Sequence, residues 1–135
     1  MDFNGIFDKN KYQELIKYLD TLKDLKYQEF QKKIVVYDDV IGVKTSDLKK
    51  IAKEISKNDY KGFIENNKSL TYEFVLLEGF IYGYLKIPFN ELKEYLNNYL
   101  SKIKSWGQVD TVVSNLKIFK MTTYVKSCHF FVYLI

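Results

Sequence analysis

Thr45-Ser46-Asp47-Leu48-Lys49-Lys50-Ile51-Ala52-Lys53-Glu54-Ile55 decides the fold class. Leu48, Ile51, Ala52 and Ile55 recur at intervals of three and four, the repeat that lines one face of an α-helix. Thr45, Ser46 and Asp47 supply N-cap chemistry at its start, and Gly42 breaks the pattern that precedes it. Lys49, Lys53 and Lys57 form a second stripe at helical spacing, with no acid in it.

The same period continues in both directions. Upstream, Tyr12, Leu15, Ile16, Leu19 and Leu22 predict an amphipathic helix with Asp8 and Asn10 available as caps. A second helix is expected from about Leu25, with Tyr27, Phe30, Ile34 and Tyr37 on its buried face. The β-branched Ile34, Val35 and Val36 would also suit a strand. Downstream, a short helix follows Asn58 or Asp59 through Tyr60, Phe63 and Ile64. From Thr71 to Ile87 the chain is apolar on nearly every side, which predicts a central helix covered by neighbours. Gly79 and Gly83, one turn apart, leave room for another helix to approach. Glu73 and Glu78 interrupt a stretch already too short to span a bilayer. Pro88 fits the first turn of the next helix, whose inward face is Phe89, Leu92, Leu96, Tyr99, Leu100 and Ile103. Ser105 followed by Gln108 is a capping-box pattern that opens a seventh helix, with Trp106, Val109, Val113 and Leu116 on its apolar side.

Composition agrees with an all-α domain. One proline and six glycines are too few for a sandwich of many short strands, and 47% apolar with 28% charged residues is that of a chain that folds. At 135 residues there is room for one core. The expectation is a helical domain over residues 1–120, packed either as a bundle or as HEAT-like helical pairs. Residues 121–135 read differently: Asp110 is the last acid, and Lys126 is the only charge after Lys120. That stretch is expected to be an atypical apolar tail, either a last buried helix or a poorly ordered end left by an interrupted reading frame.

The net charge is +4, and every cationic residue is a lysine. Lysine suits phosphate as a point charge, whereas bidentate reading of a guanine edge calls for arginine, so backbone contact is favoured over base readout. A solvated lysine face is the alternative reading of the stripe. Cys128 and His129 are the only residues of their kinds. Neither a disulfide within the chain nor a zinc site can be assembled from them, and no cofactor is expected. Met1 to Lys9 carries Asp2 and Asp8 and lacks the flank and apolar run of a signal peptide, so the expected location is the cytoplasm.

No glycine-rich phosphate loop, GxSxG elbow or histidine-based triad exists in the chain. What remains is Ser105-Trp106-Gly107-Gln108-Val109-Asp110, in which Trp106 and Asp110 lie one helical turn apart on one face. An aromatic plane and a carboxylate so placed could act on one ligand. Core packing for Trp106 and complementing the helix dipole for Asp110 is the alternative.

Ile41-Gly42-Val43-Lys44-Thr45-Ser46-Asp47-Leu48-Lys49-Lys50-Ile51-Ala52-Lys53-Glu54-Ile55 resembles the G-V-x-T-x-x-L-R-x-L-A-K segment of the DNA alkylation repair family, the AlkD-type alkylpurine DNA glycosylases. Tyr72-Glu73-Phe74-Val75 resembles that family's next helix, and Ile103 to Asp110 its W-x-x-x-D catalytic helix. The resemblance covers roughly Tyr12 to Lys120, in the family's order. It implies a superhelix of HEAT-like repeats whose positive concave face holds duplex DNA, and hydrolytic removal of purines alkylated at N3 or N7 without base flipping. By the same resemblance Asp110 matches the catalytic aspartate, and Trp106 the aromatic that lines the lesion-side backbone. The expected DNA-contacting set is Lys44, Lys49, Lys53, Lys57 and Lys104. The family's later repeats, which supply another tryptophan and an arginine, have no counterpart after Lys120. The alternatives are a DNA-binding repeat module without turnover and a protein-binding HEAT-like scaffold.

Overall fold

The computed structural model describes residues 1–34 and 39–102, and among them every regular element is helical. The helices are α1 (Lys9–Thr21), α2 (Leu25–Ile34), α3 (Thr45–Ser56), α4 (Tyr60–Asn66), α5 (Tyr72–Tyr84) and α6 (Phe89–Lys102). None is long and apolar enough to cross a membrane. The expected seventh helix and the tail at residues 121–135 lie outside the described residues, as do Tyr37 and Ile103 of the expected inward faces.

Helix α5 is the axis of the core. Every residue from Tyr72 to Tyr82 is buried, as an apolar sequence without a polar stripe requires. Helix α3 packs on it most extensively, through Leu48, Ile51, Ala52 and Ile55, and α6 lies against it with Leu92, Leu96 and Tyr99 buried. Helix α4 touches α1 and α3. Tyr12, Leu15 and Leu19 of α1 join the same cluster, where a fully buried leucine contributes about 1.5–3 kcal/mol.

Two carboxylates define helix starts, and Asp59 stitches a distant segment as well. Asp8 accepts from Lys11 N–H at 2.9 Å and begins α1. Asp59 accepts from Gly62 N–H at 3.2 Å at the start of α4 and from Phe7 N–H at 2.9 Å, drawing the N-terminal segment onto that helix. Gly62 is required there: a Cβ would stand 2.5 Å from the Phe7 carbonyl oxygen.

Four expectations need correction. Helix α3 begins at Thr45 with Lys44 in the N-cap position and no side-chain cap bond, so Thr45, Ser46 and Asp47 form its first turn instead of capping it. Pro88 precedes α6, and its carbonyl accepts from Glu91 and Leu92 N–H. The apolar side of α2 is not a core face. No residue of α2 is buried, and Phe30 and Ile34 are 58% and 60% exposed. Phe89 likewise lies at the surface.

Candidate nucleic-acid interface

The lysine stripe is carried by α3, and its geometry follows from that helix's burial. With Leu48, Ile51, Ala52 and Ile55 turned onto α5, residues 49, 53 and 57 run along the flank, one turn apart. Lys53 and Lys57 are exposed, and Lys57 is the C-cap residue. Lys49 is half-buried, its Nζ 5.9 Å from the centroid of the buried Phe80 ring on α5. That cation–π contact narrows the ammonium's range while leaving it near the surface. Lys44 stands at the head of the stripe with Nζ 3.7 Å from Asp24 Oδ2. The Tyr27 N–H chiefly, and the Lys44 charge after it, hold the Asp24 carboxyl below the usual carboxylate range. Lys44 thus has Asp24 as a partner and Lys49 has Phe80, while the Lys53 and Lys57 side chains are exposed and make no ion pair among the described residues.

Lys104, Trp106 and Asp110 lie outside the described residues, so the pairing of aromatic plane and carboxylate stays an expectation from spacing. Among the described residues no group of three or more histidine, cysteine, aspartate or glutamate side chains is placed to hold a metal ion.

The buried carboxylates of α5 are what sequence reading passed over. Glu73 is 1% exposed, and its carboxylate accepts three consecutive backbone N–H groups: Ile41 at 3.0 Å on Oε1, Gly42 at 3.0 Å and Val43 at 3.4 Å on Oε2. A run of N–H groups around one anion supplies the hydrogen bonds that a buried charge demands. Gly42 makes the turn possible with φ +99°, and its carbonyl accepts from Asp24 N–H at 3.0 Å. Gln28 Nε2 donates to the Val40 carbonyl at 2.9 Å, and Tyr72 N–H to the Asp39 carbonyl at 2.8 Å. Residues 39–43 thus join α2 and α5 through polar contacts. The signal was available: a glutamate inside an all-apolar run must meet donors somewhere.

Glu78 is the second such residue. Asn67 Nδ2 donates to its Oε1 at 3.1 Å and the Tyr82 hydroxyl to its Oε2 at 3.0 Å, while the Tyr12 hydroxyl donates to Asn67 Oδ1 at 2.9 Å. Burial pushes the Tyr12 phenol up to about 12 and raises those of Tyr82 and Tyr99 as well. Thr71 Oγ1, at the start of α5, is buried without a hydrogen-bond partner.

No protein family, curated protein or solved structure matches the chain.

Proposed function

We propose that the chain is a DNA repair protein of the alkylpurine DNA glycosylase type, built from HEAT-like stacked helix pairs and binding duplex DNA along the α3 lysine stripe. The observation that carries this reading is the ordered series of three segments, Ile41 to Ile55, Tyr72 to Val75 and Ile103 to Asp110. A contact between two of them supports it: Glu73 of the second holds the Ile41, Gly42 and Val43 amides of the first. The residues that make the resemblance are thereby also residues that depend on one another.

The chemistry is compatible with so sparse a set of groups. A purine alkylated at N3 or N7 already carries positive charge and departs without a general acid. The enzyme then has to stabilise a sugar with oxocarbenium character and place a water. One ionised carboxylate, Asp110, serves both purposes, unlike glycosidases that need two carboxyl groups. Trp106, one turn away, packs against the lesion nucleotide.

The test is release of 7-methylguanine from methylated duplex DNA by the full chain and by Asp110→Asn. Activity lost with folding and DNA binding retained supports catalysis by Asp110. Stability lost by up to about 1 kcal/mol with activity unchanged assigns Asp110 to the helix dipole. No activity in the unmutated chain leaves a DNA-binding module without turnover. The exposure of Phe30 and Ile34 on α2 favours a second reading, a HEAT-like scaffold that binds protein.

A further inference from the structure

Four tyrosine rings run from the surface between α4 and α6 into the core. Tyr60 and Tyr95 are half-buried, with centroids 6.4 Å apart and edge to face. Tyr95 stacks on the buried Tyr82 at 5.9 Å and 26°, and Tyr82 meets the buried Tyr99 edge to face at 5.5 Å. The two inner phenols have different partners. Tyr82 donates to the Glu78 carboxylate at 3.0 Å, whereas Tyr99 donates to the Val75 backbone carbonyl at 2.9 Å.

We propose that Tyr82 is a one-electron redox site, filled from the surface through Tyr60 and Tyr95 and coupled to proton transfer onto Glu78. The substrate class is a diffusible one-electron oxidant strong enough to oxidise phenol. Such an oxidant takes an electron from Tyr60 or Tyr95, whose proton passes to water because these rings reach the surface. An electron from Tyr82 then refills that ring, which recovers its proton from water. At the same time the Tyr82 hydroxyl proton crosses to Glu78 Oε2. The products are a neutral phenoxyl, a neutral carboxyl and the oxidant reduced by one electron, so charge and protons balance.

Two physical facts place the vacancy at Tyr82. An oxidised phenol is a strong acid and settles only beside a base. A carboxylate accepts that proton, whereas the amide carbonyl facing Tyr99 does not. Burial raises both inner phenols, so Tyr82 carries its hydroxyl proton, hydrogen-bonded to Glu78 Oε2, before oxidation.

The experiment is flash oxidation of the full chain by photogenerated trivalent tris(bipyridyl)ruthenium, followed by freezing and electron paramagnetic resonance. A long-lived phenoxyl signal is expected in the unmutated protein, forming more slowly in D2O. It should be lost in Tyr82→Phe and reduced in yield in Tyr95→Phe, which keeps the stacked ring but cannot release a phenolic proton. Circular dichroism checks that each variant folds. Should Tyr82→Phe not fold, Tyr95→Phe and the D2O comparison decide alone. Absence of the signal in the unmutated protein, its persistence in folded Tyr82→Phe, or an unchanged yield in Tyr95→Phe would each overturn the proposal and leave the four rings as core packing.

Discussion

Replacing Glu73 by Gln tests whether the loop before α3 is held by a buried anion. The change preserves shape and removes the charge. Gln can keep its carbonyl oxygen on Gly42 and Val43 N–H, but its amide NH2 then faces the Ile41 N–H, donor against donor. A hydrogen bond to a charged partner contributes about 1.5–3 kcal/mol, and a buried donor left unpaired costs about 1–3 kcal/mol. The expected loss is about 2–4 kcal/mol, large against a total stability of roughly 5–15 kcal/mol yet short of unfolding the chain. Glu73 also sits in the first turn of α5, where the helix dipole alone accounts for about 0.3–1 kcal/mol. The two explanations are therefore separable by size. Urea unfolding followed by circular dichroism measures the difference, provided the slope is unchanged between the two proteins. A loss below about 1 kcal/mol would refute the clamp and leave only the dipole.

Gly42→Ala should cost about 2–4 kcal/mol in the same assay, from left-handed backbone strain and overpacking together. Its Cβ would stand 2.6 Å from Gln28 Cβ and 2.9 Å from the Asp24 carbonyl oxygen, and wild-type stability would show that the loop can move aside. In alkali the folded chain holds the Tyr12 proton more firmly than the unfolded chain, because burial raises this phenol from 10.0 to about 12. Its contribution to stability is complete below pH 10.0 and falls away as the pH approaches about 12, so denaturation midpoints should decline in that window. A Tyr12→Phe variant with an equally steep decline would remove Tyr12 from that account. Changing Lys49, Lys53 and Lys57 together to Gln should weaken duplex DNA binding and flatten its dependence on salt. An unchanged affinity and slope would make the stripe a solvated face.

Much of the helical framework was legible because the buried face of each core helix repeats at the helix's own period. Leu48, Ile51, Ala52 and Ile55 are buried as their spacing requires, and the largely apolar run that Glu73 and Glu78 interrupt is the central helix. Asp8 and Asp59 were recognisable as caps because a cap is a local device, completed within three residues. Helix α2 shows where such reading ends. Tyr27, Phe30 and Ile34 have the spacing of a core face, but periodicity says which residues share a side, not whether another element covers it. For the candidate site, spacing was enough to put Lys49, Lys53 and Lys57 on one flank. It could not show that Lys44 meets Asp24 or that Lys49 lies over Phe80, since those partners come from other elements.

The sequence by itself determined the helical class, the core faces of α1, α3 and α5, and the row of lysines. All of these depend on residues within a few positions of one another, where backbone geometry alone relates them. Only the tertiary structure decided that Glu73 holds the Ile41 to Val43 amides, that Asn67 and Tyr82 share Glu78, and that α2 attaches through Asp24 and Gln28. A buried carboxylate must find donors, but which donors reach it depends on how distant segments pack, and no local spacing carries that information.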